Sequence, residues 1–155
     1  MSDSNRRRYA ELLKDAVGPT DWRVVPAVEA HQRWTDLRTW VEWLVRRYAL
    51  DHRVVPPCWY LHPSLVDVLT ALRDHHAYAF DPLQPGSTAT EWHRVFADLE
   101  RRLRDWASRT GCTRDQHRPD VHPAGLDDDQ RWAAHLEADE SQRIAEQIAD
   151  GLDDH

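Results

Sequence analysis

A mainly α-helical fold, a compact domain of about five helices with a central αα-hairpin, is what the 155-residue chain predicts. Three observations carry that expectation. Apolar residues recur at helical spacing in successive segments, most segments are bounded by a polar cap or a Pro/Gly stop, and large aromatics dominate the apolar set. Eight Trp stand beside two Phe and one Met. Indoles bury much area but need partners for their N–H groups, so such a core is specific in its packing.

Taken in order, Tyr9, Leu12, Leu13, Ala16 and Val17 form the first stripe, after Asp3 or Ser4 as cap and before Gly18-Pro19 as stop. A second stripe, Leu37, Trp40, Val41, Leu44, Val45 and Tyr48, follows Thr35 or Asp36 as N-cap and ends before Asp51. Trp34 and Trp43 flank it, which marks a central helix. After Pro63, Ser64-x-x-Asp67 reads as a capping box leading into Leu65, Leu69, Leu72 and His76. Thr88-x-x-Glu91 reads as another, leading into Trp92, Val95, Phe96, Leu99, Leu103 and Trp106, with Gly111 just past the end. Asp81-Pro-Leu-Gln-Pro-Gly-Ser87 breaks the helix between them, so the two helices form the hairpin. The last helix is expected from Asp127 to about Leu152, with three aspartates at its positive end and Gly151 closing it. Its stripe is Trp132, Leu136, Ile144, Ile148 and Leu152, interrupted at Glu140.

One echo interrupts the helical pattern: Asp21–Pro26 and Asp51–Pro56 share D-x-R-V-V-P. The two copies could pair as two very short strands, or the likeness could be a common loop shape.

Charge divides the chain. From Asp120 onward eleven acidic residues face two arginines, a net of −9, whereas residues 1–119 carry 18 basic and 16 acidic groups, a net of +2. The expected organisation is a helical domain over 1–119 and an acidic C-terminal helical extension over 120–155. No apolar run is long enough to cross a membrane, and the start MSDSNRRRYAEL has no apolar h-region, so a cytoplasmic protein is expected.

The hairpin brings the chemistry-bearing residues together. The segment before Ser64 meets the segment after Gly111, and these hold Cys58-x-x-x-His62 and Cys112-x-x-x-x-His117, the only two cysteines of the chain. Two thiolates and two imidazoles suit one structural zinc. Two buried, unliganded cysteines and a Cys58–Cys112 disulfide are the other readings, the disulfide being disfavoured in a reducing compartment. His76, on an apolar face, reads as a core residue and not as a ligand. No nucleophile elbow, zincin helix or phosphate-cradling glycine loop occurs, so no catalytic residues are assigned and no enzyme is expected.

Arg94, Arg101, Arg102, Arg104 and Arg109 on the fourth helix, with Arg114 and Arg118 beyond it, form a candidate phosphate-binding face. Glu91, Asp98, Glu100 and Asp105 are interleaved with them, the pattern of an ordinary solvated surface.

The stretches WVEWLVRRYAL, CWYLHPSLVDVLTALRDHHAYAF and EWHRVFADLERRL, with the closing Cys-x4-His, resemble an uncharacterised domain family of actinobacterial plasmids, integrative elements and phages. Its members show a Trp-Cys pair, a double aromatic and His-Pro-Glu leading into a Leu-rich helix. The resemblance spans about residues 36–118; Cys58 directly precedes Trp59-Tyr60 here, and Ser64 stands where Glu is usual. It implies an accessory protein of a mobile element and supplies no catalytic residues. The function expected is non-enzymatic regulation through contact with a protein partner by Trp132, Leu136, Ile144 and Ile148. The alternatives are a DNA-associated regulator using the arginine-rich helix over 88–110, or an acidic nucleic-acid mimic.

Overall fold

Helix α1 (Ala27–Tyr48) begins eight or nine residues before the expected cap. In the computed structural model, which describes residues 18–126 and 128–153, Pro26 is extended and its carbonyl accepts the N–H groups of Glu29 and Ala30. Thr35 and Asp36, the expected caps, lie inside the helix: the Thr35 hydroxyl donates back to the His31 carbonyl, and Asp36 accepts from the Gln32 amide. The first turns have no buried stripe to betray them, Val28 being 91% exposed. Good helix formers and the Glu29–Arg33 pair one turn apart carry them instead. Deeper in the helix Leu37, Val41 and Leu44 are buried. At its end Ala49 takes the left-handed conformation at φ 50°, a position that ordinarily selects glycine.

The D-x-R-V-V-P echo is one turn used twice, flanking α1. The Arg23 N–H donates to the Asp21 carboxylate and the Val24 N–H to the Asp21 carbonyl; the Arg53 and Val54 N–H groups do the same to Asp51. The Asp side chain holds the chain in a turn, so the two segments do not form strands. Among the described residues there are four α-helices, a single 3-10 turn at Trp59–Leu61 and no strand.

Helices α2 (Pro63–Ala79) and α3 (Ser87–Thr110) form the hairpin and make the most extensive contact in the body, with α1 packed on α2. Neither expected capping box exists. Pro63 occupies the first position of α2 with His62 as N-cap, so Ser64 lies inside. Gly86 caps α3, and Thr88, buried, turns its hydroxyl to the carbonyls of Ala79 (2.7 Å) and Pro85 (2.8 Å), tying the hairpin turn together. α3 buries Trp92, Phe96, Leu103 and Ala107 and closes at Gly111, in the left-handed region at φ 68°.

The core is aromatic; two of its indoles find acceptors, and the buried Trp40 N–H has none among the described residues. Trp92, fully buried, donates its indole N–H to the Tyr48 hydroxyl at 2.9 Å, and Trp22 donates to Thr70 at 2.9 Å. His76 sits among rings, with Trp43, Phe80 and Trp92 4.6–4.8 Å away. Burial lowers its pKa and neighbouring His75 adds to the effect, so it is neutral at neutral pH.

The chain divides into two units, Met1–Asp120 and Val121–His155. In the second, α4 (Asp129–Asp153) starts where the Asp128 carboxylate and carbonyl accept the Arg131 and Trp132 N–H groups. Gly151, expected to end it, lies within the helix. Trp132, Leu136, Ile144 and Ile148 are all about half exposed or more. The helix expected over Tyr9–Val17 lies outside the described residues. No helix among the described residues is long and apolar enough to cross a membrane.

Candidate metal centre

Cys58 and His62 are placed by the 3-10 turn. The Leu61 N–H donates to the Cys58 carbonyl and the His62 N–H to the Trp59 carbonyl, so that residues 58 and 62 lie about one turn apart on one side. His62 then caps α2 with its own carbonyl, accepting from Leu65 and Val66. Its extended backbone is the one a residue before proline adopts, and its side chain is wholly buried.

The other pair comes from the end of α3. Left-handed Gly111, at φ 68°, turns the chain, and that backbone conformation is what selects glycine here. A small turn follows, in which the Thr113 N–H donates to the Gln116 carbonyl and the Gln116 N–H to the Thr113 hydroxyl. This turn brings His117 back beside Cys112.

The four groups converge. Cys112 Sγ lies 3.3 Å from His62 Nε2, Cys58 Sγ lies 3.6 Å from the same nitrogen, and Cys112 Sγ lies 3.7 Å from His117 Nδ1. All four ligand atoms fall within 4.8 Å of one another. Zinc bonds of about 2.3 Å to sulfur and about 2.0 Å to nitrogen set neighbouring corners of a tetrahedron about 3.3–3.8 Å apart. These three distances already match those edges, and no pair needs to close by more than about 1 Å. The donor set and spacing therefore fit a tetrahedral metal ion, and all four positions are filled by the protein. Neither cysteine is in a disulfide, and both are half-buried, not fully buried.

Asp120 completes the arrangement. Its carboxylate lies 2.7 Å from His62 Nδ1, which takes the N–H at Nδ1 and leaves the Nε2 lone pair facing both sulfurs. By charge Asp120 reads as the first residue of the acidic extension, which hides this role in the sequence.

The thiols are unequal. Burial pushes Cys58 up, and its neighbour Cys112 pushes it the same way. Burial acts upward on Cys112 too, but hydrogen bonds with Thr110, the Arg118 backbone, Cys58 and His62 outweigh it and bring the thiol down to about 6. The Arg118 N–H donates to Cys112 Sγ at 3.1 Å, a contact that favours thiolate. One thiolate thus preforms the site.

The arginines of α3 are less available than their number suggests. Arg101 pairs with Asp98, Arg104 with Glu100 at 3.4 Å, and the Arg109 guanidinium lies 4.7 Å from the Trp106 ring centroid. Arg94 and Arg102 are exposed and enter no ion pair among the described residues. Trp132, Leu136, Ile144 and Ile148 stand in the other unit, on α4.

No protein-family model, curated protein or solved structure matches the chain.

Proposed function

We propose that this chain is a non-enzymatic accessory protein that works by contact with another protein, and that α4 is the element its partner grips. One observation carries the reading: a 25-residue helix leaves Trp132, Leu136, Ile144 and Ile148 between 49% and 60% exposed. A soluble helix ordinarily buries such a stripe, and an amphipathic helix with an unburied one suits the apolar groove of a partner. The carboxylates of Asp128, Asp129, Glu137, Glu140 and Glu146 favour a groove with a basic rim. The setting on a plasmid or phage rests on the sequence resemblance alone.

The Cys2His2 cluster is, in the same reading, a structural zinc site. Mixed sulfur and nitrogen donors at tetrahedral spacing select zinc among common metals, and four protein ligands leave no open position for catalysis. Its work is to join two loops that have little core of their own. Metal analysis of the purified protein should find one zinc per chain, lost in both Cys58→Ser and Cys112→Ser; protein free of metal after zinc loading would overturn the assignment.

The partner test compares immobilised wild type with a Trp132→Ala/Ile144→Asp double variant, both checked for helix content. A basic protein held by the wild type, absent from the variant and released by raised salt supports the reading. An identical captured set on both would overturn it.

A further inference from the structure

A second candidate site lies on the body, beside the metal loops and apart from α3. A groove of about 1040 Å³ runs between α1 and the segment 50–60, with Arg114 on its rim. That is the upper end of the range for ligand sites, room for more than one small ring system. Its floor is apolar, formed by Val41, Val45 and Val55. Two aromatic side chains offer ring surface along it. Trp34 is backed by Trp22, with ring centroids 4.3 Å apart, yet remains 37% exposed, and Tyr60 is 54% exposed.

The rim is cationic. Arg38 and Arg46 share a single carboxylate, Glu42, at 3.0 and 3.7 Å. Arg114 enters no ion pair among the described residues. The other acid on the lining, Asp51, accepts the Arg53 N–H, and three arginines against two carboxylates leave the lining a net charge of +1. Flat aromatic faces set beside guanidinium groups are the combination that stacks a base and neutralises its phosphate.

We propose that this groove binds nucleotide units with an unpaired base, the base stacking on Trp34 and Tyr60 and the phosphates meeting Arg38, Arg46 and Arg114. Paired bases present no free face, so the ligand is a single strand or a free nucleotide and not a duplex. An acidic peptide could satisfy the arginines but would leave the ring surfaces unused.

The test is fluorescence anisotropy of labelled hexathymidine with the full chain. Binding should weaken about tenfold or more in Tyr60→Ala, fall likewise in Arg38→Glu and Arg114→Glu, and stay unchanged in Arg102→Glu on α3. Three phosphate contacts set a log–log salt slope of about −2. All of these positions are exposed, so circular dichroism should confirm the fold in each variant. Competition by thymidine monophosphate identifies the free nucleotide as a ligand, and lack of it assigns the site to a strand; either supports the proposal. No binding, equal binding of a duplex of the same length, loss through Arg102→Glu in place of the groove variants, or equal displacement by an oligoaspartate peptide would overturn it.

Discussion

His62 Nδ1 and Asp120 Oδ1 lie 2.7 Å apart, and that contact decides which nitrogen of the imidazole faces Cys58 and Cys112. A carboxylate behind a ligating histidine raises its basicity and fixes its ring. Asp120→Asn keeps the shape and removes the charge. We expect zinc affinity to fall about 10- to 100-fold, read by competition with a chromophoric chelator, while thermal stability of the metal-free protein stays nearly unchanged.

The two thiols should part company in chemical reactivity. In metal-free protein Cys112 alkylation should rise with pH through about 6, whereas Cys58 should react only at pH above the ordinary 9.0. A lowered thiol pKa contributes stability that is complete above 9.0 and disappears as pH falls through about 6, so metal-free protein should weaken over that window. Rates of iodoacetamide labelling at each cysteine, resolved by peptide mass, check the order, and zinc should protect both.

Ala49 pays for the exit from α1 with a left-handed backbone at φ 50°. Ala49→Gly relieves that strain at the C-cap and keeps the bond from its N–H to the Val45 carbonyl. Stability should rise by about 0.5–1 kcal/mol, seen as a higher midpoint in urea with an unchanged slope; a lower midpoint would refute the strain.

Tyr48 exists in this core as an acceptor. Tyr48→Phe keeps the ring that packs at a tilt against Phe96, 4.4 Å away, and strips the Trp92 indole of its partner. Leaving a buried donor unpaired should cost about 1–3 kcal/mol. A loss well below that, measured by the same denaturation, would mean that the indole finds another acceptor.

The hairpin and the convergence of the four candidate ligands were legible because both follow from local rules. Pro and Gly punctuation between Asp81 and Ser87 fixes antiparallel helices, and antiparallel helices place residues 58–62 beside residues 112–117. The start of α1 was not legible, since helix formers without a buried stripe leave no periodicity to count. Ser64 and Thr88 show the weakness of a four-residue capping pattern: Pro63 takes the first position of one helix, and Thr88 is drawn inward to the Ala79 carbonyl. Asp120 was concealed by its acidic neighbours, and the groove by its assembly from segments far apart in sequence.

Arg114 lies between two of the candidate metal ligands, Cys112 and His117, and Tyr60 between the other two, Cys58 and His62. Both groove contacts thus sit on loops whose position the ion would fix, and linkage between two such sites is reciprocal. Whatever factor zinc lends to occupancy of the groove, occupancy returns to zinc. A cell's free metal level would then be readable at this surface as a change in affinity, with no second effector required.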